Sequence, residues 1–369
     1  MPQMSGQQHS GALLQPNPRL VQRDLLLDHP KRLRYAFMKR LPVYGSWMVF
    51  LLLHLFAMGC ARPGLKQSLV AMRAPEGSPM LLAIYQPWFG NGEHINVGYS
   101  CHDPVVLRQQ IARAKELNIS GFVVNWYGER KPFEDQALTL LAKSANESGF
   151  KVAVQYDEAA DRGGATTDVV ITELQYLYER HIGPRAGSER EAYLRYGGRP
   201  VIFIFPKTAE TDWNRVRQET QTWADPPLLI YKDQNEKFPG AFDGYYAWVQ
   251  PGKGGWAADG SNWGEDYLDY FYKNMTTHFQ DKIAVGAVWP GFDDSRAAWG
   301  LNRKIANRCG RTFEDGLRVF RKYYGTENAP PYLLIETWND YEEGTAVERG
   351  ISHCSAGQRA ASSGLSYNP

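Results

Sequence analysis

Asp340 and Glu343, in the segment Trp338-Asn339-Asp340-Tyr341-Glu342-Glu343-Gly344-Thr345, are the residues of this chain best suited to acid–base chemistry. Cleaving a glycosidic bond takes one acid to protonate the departing oxygen, and one base or nucleophile to support the charge growing at the anomeric carbon. Two carboxylates three positions apart in a tight turn can reach one bond from different angles. Close like charges between aromatic walls also push one pKa up, so that group stays protonated and able to donate. The competing use of such residues is a solvated acidic turn or a helix cap near Thr345. Trp338 and Tyr341 would be poorly placed in water and weigh against it.

Such a turn needs a frame, and the chain supplies one. Apolar runs of strand length occur at Leu81–Tyr85, Gly121–Trp126, Lys151–Tyr156, Val201–Phe205, Leu228–Tyr231, Gly244–Trp248, Ile283–Trp289 and Leu333–Trp338. Between them, Asp103–Leu117, Phe133–Ser148, Asp168–Arg180, Asp212–Trp223, Gly264–Phe279 and Thr312–Tyr324 carry helical periodicity. Asp103-Pro104, a capping residue followed by proline at the first helical position, is the clearest helix start. Strands separated by helices in this number predict a single α/β domain over residues 79–351, a (β/α)₈ TIM barrel. The fifth unit lacks a convincing helix, and the stretch after Ile351 supplies no eighth one. Tyr85-Gln86-Pro87-Trp88-Phe89-Gly90 is not the glycine-rich phosphate loop that an open doubly wound sheet would need.

In a barrel of this kind the ends of the strands face the ligand. Those ends repeat aromatic rings and hydrogen-bonding groups. They are Tyr85, Gln86 and Trp88; Asn125, Trp126 and Tyr127; Gln155, Tyr156, Asp157 and Glu158; Tyr245, Tyr246 and Trp248; Trp289, Phe292, Asp293, Asp294 and Arg296; and Trp338, Asn339 and Asp340. Rings stack on sugar faces while carboxylates and amides hold hydroxyls, so the joint pattern suits a glycan cleft. Any single ring serves equally well as a cap on the barrel core.

Bulk properties exclude other classes. The formal net charge is +1, which leaves no electrostatic footprint for nucleic acid. Cys60, Cys101, Cys309 and Cys354 form no CxxC pair, and His94, His102, His181 and His278 are scattered, so no metal or cofactor is expected. No GxSxG elbow, HExxH helix or P-loop occurs.

The first 60 residues read as a separate region. Met38-Lys39-Arg40 precedes the apolar run Trp47–Ala57 and ends on Ala57-Met58-Gly59-Cys60, the order of an export signal. This ending resembles the bacterial lipobox, which implies lipidation at Cys60 and attachment to a membrane outside the cytoplasm, with residues 1–37 lying upstream of a start at Met38. An uncleaved anchor is the alternative, because Leu41–Ala61 is close to the ~20 residues of a spanning helix, with Lys31, Arg32, Arg34, Lys39 and Arg40 on its cytoplasmic side. A buried helix of a soluble protein is the third. Residues 61–78 read as a tether, and the small polar tail 352–369 is expected to be disordered.

Several motifs together are familiar. Trp338-Asn339-Asp340-Tyr341-x-Glu343 resembles the signature of the endo-α-1,3-glucanases of glycoside hydrolase family 71. Glu343-Gly344-Thr345 followed by Glu348 is similar to the family 99 endo-α-mannosidases, as are Tyr85-Gln86-Pro87-Trp88-Phe89-Gly90, Gly121–Gly128 and Pro290-Gly291-Phe292-Asp293-Asp294-Ser295-Arg296. The resemblance runs in order from Leu81 to Arg349. It implies a barrel that cleaves α-linked glycans with two carboxylates and no metal. In the mannosidases one carboxylate removes the proton of the sugar's 2-hydroxyl so that this oxygen attacks its own anomeric carbon, and the other is general acid then base. Those roles fall here on Asp340 and Glu343, with Asp at the first position where that family has Glu. Asp157 falls on a carboxylate that holds the sugar beside the scissile bond, again one carbon shorter, and Trp126, Tyr127 and Phe292 fall on cleft-lining rings.

The sequence is therefore expected to specify an exported, membrane-anchored glycoside hydrolase acting on an α-mannan, an α-glucan or a related polysaccharide. Asp340 and Glu343 would be catalytic. Tyr85, Trp88, Asn125, Trp126, Tyr127, Asp157, Trp289, Phe292, Asp294, Arg296, Trp338 and Asn339 would bind substrate. The two Glu-to-Asp differences leave a non-catalytic glycan-binding lipoprotein as the alternative, and a barrel hydrolase for a non-sugar substrate as a third.

Overall fold

A computed structural model of the chain describes residues 78–158 and 166–351. Cys60 with its apolar run, the tether up to residue 77 and the tail 352–369 lie outside the described residues.

Eight parallel strands form the frame: β1 Met80–Tyr85, β2 Gly121–Trp126, β3 Lys151–Asp157, β4 Arg199–Phe205, β5 Leu228–Lys232, β6 Gly244–Tyr246, β7 Ile283–Val288 and β8 Tyr332–Ile335. Each pairs with the next in sequence, and β8 returns to β1 through Met80 opposite Tyr332 and Ala83 opposite Ile335, which closes the sheet. The expected (β/α)₈ barrel is thus the fold. Closure removes both sheet edges, so every strand finds two partners.

The helices are α1 Pro104–Glu116, α2 Pro132–Ser148, α3 Thr167–Leu177, α4 Trp213–Thr220, α5 Glu265–Thr277 and α6 Arg311–Tyr323. Their starts follow local chemistry. The Asp103 side chain accepts from the Val105 N–H at 2.8 Å ahead of Pro104, and the Asp212 carboxylate accepts from Asn214 and Arg215 N–H groups. Such caps satisfy donors that the helix leaves unpaired, at about 1 kcal/mol each. α3 runs on into a single π-turn over Tyr178–Ile182, and the crossover from β5 to β6 carries no helix, as the sequence pattern implies. Among the described residues none follows β8 either.

Strand alternation sorts the core into two layers. Leu82, Ile84, Val123, Ala153, Val201, Phe203, Leu228, Ile230, Tyr246, Val285 and Leu334 pack together inside the barrel. Their neighbours Ala83, Tyr85, Phe122, Val124, Trp126, Val154 and Tyr156 belong to the outer layer beneath the helices. Each fully buried aliphatic side chain contributes roughly 1.5–3 kcal/mol. The same alternation decides which strand-end residues reach the mouth.

Candidate active site

Continuing the inward parity of each strand by one or two steps leads out of the apolar interior into a cleft of 1270 Å³ at the C-terminal mouth. Gln86 follows Ile84, Asn125 follows Val123, Asp157 closes β3, Phe205 follows Phe203, Lys232 follows Ile230 and Trp248 follows Tyr246, and all six line the cleft. Asp340 and Glu343 line it too, from the loop after β8. Trp88, Tyr127, Trp256, Phe292 and Trp299 add aromatic walls.

The loop after β8 is built on the barrel itself. The Glu336 N–H donates to Val288 O at 2.9 Å and the Trp338 N–H to Ile84 O at 2.6 Å, so the backbone stays tied to β7 and β1 beyond the end of β8. Thr337 Oγ1 accepts from the Asp340 N–H at 2.7 Å, while Asp340 O accepts from the N–H groups of Thr345 and Ala346. Gly344 makes the turn at φ +66°, a conformation costly for residues with a Cβ, and a Cβ there would also press on Asp293 at 3.3 Å.

Three donors converge on the Asp340 carboxylate. Oδ1 accepts from the N–H groups of Glu343 at 2.8 Å and Glu342 at 3.1 Å, and Oδ2 accepts from Gln86 Nε2 at 3.0 Å. Glu343 is half-buried and takes one protein donor, Trp299 Nε1, at 3.1 Å. Burial raises the pKa of Asp340, with the Glu343 charge adding to it, and burial likewise raises Glu343. Two buried carboxyls in one loop retain a proton more readily than either alone. Donors favour the ionised form, and there are three on Asp340 against one on Glu343. Deeper burial lifts Asp340 the further, so burial and hydrogen bonding oppose each other at that carboxyl.

Glu342, beside this pair, points away from the cleft. Its Oε2 lies 2.8 Å from His94 Nδ1 and its Oε1 accepts from the Ile95 N–H at 3.1 Å, tethering the loop after β1 to the loop after β8. His94 in turn stacks flat on Trp88, with ring centroids 4.5 Å apart. The loop after β7 folds around Asp294, which is fully buried and accepts from Leu301 N–H, Arg303 N–H and Arg303 Nε. This holds the Arg303 guanidinium in the cleft wall, 5.3 Å from both the Trp256 and Phe292 ring centres.

Of the residues expected to bind substrate, Trp88, Asn125, Tyr127, Asp157 and Phe292 line the cleft. Seven do not. Tyr85 and Trp126 point outward by strand parity, bonding Gln110 at 2.9 Å and Asp135 at 3.0 Å beneath the helices. Trp289 is buried with its Nε1 on Trp263 O, and Trp338 packs on Phe122. Asp294 is the loop scaffold just described, Arg296 is exposed at the end of a short 3₁₀ turn outside the cleft, and Asn339 bridges to the Gln86 backbone through Gln86 N–H (2.7 Å) and O (2.9 Å). Lys207, Lys232, Trp256, Trp299 and Arg303 line the cleft without having been singled out. For Lys232 the signal was available as inward parity after Leu228 and Ile230; the other four sit on loops, which carry no such period.

A further acid lies beneath the cleft. Glu336 is wholly buried, accepts from the Val249 N–H, and is driven strongly toward its neutral form by burial.

A family model described as glycosyl hydrolase family 99 matches residues 95–367. The chain belongs to this family. Similar proteins include a human and a mouse "glycoprotein endo-alpha-1,2-mannosidase-like protein", each 21% identical over 277 residues. These matches cover 69% of this chain and 56% of each relative, so the chain spans little more than half the length of either. Among solved structures, the family 99 endo-α-mannosidase from Bacteroides thetaiotaomicron, in complex with bis-tris-propane, superimposes with a TM-score of 0.57 at 18% identity, covering 75% of this chain and 91% of that one. A second structure of that enzyme gives 0.56 at 19% identity, covering 73% and 87%. At this identity the likeness concerns the fold.

Proposed function

We propose that this family 99 protein is a glycoside hydrolase acting on α-linked glycans of the mannan or glucan type, with Glu343 as general acid and Asp340 as the partner that assists attack at the anomeric carbon. The observation that carries the proposal is the unequal hydrogen bonding of two neighbouring carboxyls at the mouth of the barrel. Asp340, with three donors, is the better anion; Glu343, with one, is the better proton donor toward a departing oxygen. Gln86 fixes the orientation of Asp340, and Trp299 that of Glu343. The cleft exceeds the ~300–1,000 Å³ of a usual small-molecule site, room for more than one sugar ring, and its aromatic walls suit stacking on sugar faces.

The test is a panel of α-mannans and α-glucans incubated with the full chain, read as new reducing ends and as the anomer of the first product by NMR. Cleavage of at least one member supports the proposal. Tight binding with no cleavage by the wild type would replace it with a glycan-binding protein. The basic and apolar order before Cys60 further supports export with a lipid anchor at that cysteine. Cys60→Ser should then abolish processing and membrane retention, and unchanged fractionation would refute the anchor.

A further inference from the structure

Among the described residues, one cation of the cleft has no carboxylate within ion-pair distance. Five basic side chains line it: Lys131, Lys207, Lys232, Lys253 and Arg303. Lys131 pairs with Glu93 at 3.6 Å, Lys207 with Asp157 at 3.2 Å and Arg303 with Asp294 at 2.7 Å, while Lys253 is an exposed rim residue. Lys232 is half-buried, and no carboxylate among the described residues lies within ion-pair distance of its Nζ. Its nearest support is the face of Phe205, with the ammonium 4.2 Å from the ring centre; Lys207 stands over the same ring at 4.9 Å. Trp248 closes the cluster edge-on against Phe205 at 5.1 Å.

A lysine held in this way is costly to keep charged. Burial lowers its pKa; the adjacent Asp233 opposes this, and Lys207 adds to it by a smaller amount. Asp233, Glu336 and Asp157 favour the charged form, but none forms an ion pair with its Nζ among the described residues. Burial drives Glu336 toward its neutral form and raises Asp233, whose carboxylate accepts from Tyr267 Oη, and Asp157 is already engaged by Lys207. A ring face offers a cation only a partial substitute for water or an anion. An anionic group entering the cleft would supply what is missing. In an eight-stranded ring the ends of β4 and β5 lie across the mouth from the loop after β8. A glycan seated on Asp340 and Glu343 can therefore present a substituent to Lys232.

We propose that the Lys207–Lys232 pair over Phe205 is an anion subsite, and that the preferred substrate is an α-linked glycan carrying a negative group, a phosphate, sulfate or uronic carboxylate, on a sugar near the scissile bond. The proposal rests on the glycoside hydrolase reading above and adds the charge of its substrate. A neutral glycan would leave Lys232 with only hydroxyl acceptors, which are weaker partners for a desolvated ammonium than an anionic oxygen.

The experiment measures binding by calorimetry in the Glu343→Gln background, which separates binding from turnover. The ligands are a neutral α-linked manno-oligosaccharide and its 6-phosphate, 6-sulfate and 6-carboxylate (uronate) forms, so that the three anions are told apart. At least one anionic form should bind about tenfold to a hundredfold more tightly than the neutral one. That ratio should collapse toward one in Lys232→Gln and fall in Lys207→Gln, the second variant serving if the first does not fold. Equal binding of neutral and anionic forms, or a ratio that survives both substitutions, overturns the subsite and leaves the hydrolase reading standing. Anionic binding through Lys232 with no cleavage of any form by the wild type keeps the subsite and overturns the hydrolase reading. Failure of every form to bind overturns the subsite, while the hydrolase reading is decided by the panel of α-mannans and α-glucans.

Discussion

Replacing Gln86 with Met deletes one of three donors to the Asp340 carboxylate while keeping the volume of the side chain. The Nε2 to Oδ2 bond is 3.0 Å long and buried, and the remaining two donors both serve Oδ1, so Oδ2 is left without a protein donor. A hydrogen bond to a charged group contributes about 1.5–3 kcal/mol. At 1.36 kcal/mol per factor of ten, kcat/KM should fall about tenfold to a hundredfold. The direction in pH follows from the same bond. The donor favours ionised Asp340, so its loss raises that pKa further, and the acid limb of the profile moves to higher pH. The Gln86 backbone keeps both bonds to Asn339, so the loop itself should hold and the melting temperature should change little. The assay is kcat/KM against pH on the best glycan of the panel, with a thermal melt alongside. An unchanged profile, or a loss explained wholly by unfolding, would refute the assignment of Gln86 as the residue that positions Asp340.

Asn339→Ala strips the partner from the buried Gln86 N–H and leaves its C=O only the Cys101 thiol, and should cost about 1–3 kcal/mol, read as a lower denaturation midpoint at unchanged slope. Trp299→Phe keeps a ring but removes the donor to Glu343; the pKa of Glu343 should rise and the basic limb of activity move to higher pH, with stability altered by no more than about 1 kcal/mol because Trp299 is 44% exposed. At Asp135, burial works against ionisation, but hydrogen bonds from His181, Trp126 and Tyr176 outweigh it and hold the pKa below the usual value. A depressed folded pKa gives stability that is full above the unfolded value of about 4 and is lost as pH falls through the folded one. Asp135→Asn should thus flatten the acid limb of a urea-midpoint profile, and an unaltered slope below pH 4 would contradict that.

Why the frame could be read from sequence and the cleft only in part follows from periodicity. β2 and the end of α2 fall where the apolar pattern puts them, because buried strands and amphipathic helices each impose a period on composition. The barrel followed from their count and order. At the strand ends, residue type alone placed Tyr85, Trp126 and Trp289 at the ligand, yet the first two belong to the outer layer and Trp289 is buried against Trp263. Parity would have excluded Tyr85 and Trp126, because Phe122, Val124 and Trp126 share a face that Asn125 does not. Asp294 was legible as important but not in kind: its carboxylate closes its own loop onto Leu301 and Arg303, seven and nine positions on, with no periodic pattern to mark it. Glu342, set aside in favour of its neighbours, turns out to tie two loops together through His94, a contact spanning 248 positions.

The division of labour between Glu343 and Asp340 is tested most directly by changing the leaving group. Glu343→Gln and Asp340→Asn would each be assayed on the natural glycan and on the matching α-glycosyl fluoride, whose leaving group departs without being protonated. If Glu343 is the general acid, Glu343→Gln should lose about 10²–10⁴-fold on the glycan but far less on the fluoride, while Asp340→Asn loses heavily on both. Equal losses for Glu343→Gln on the two substrates, or full activity of that variant on the glycan, would contradict the account.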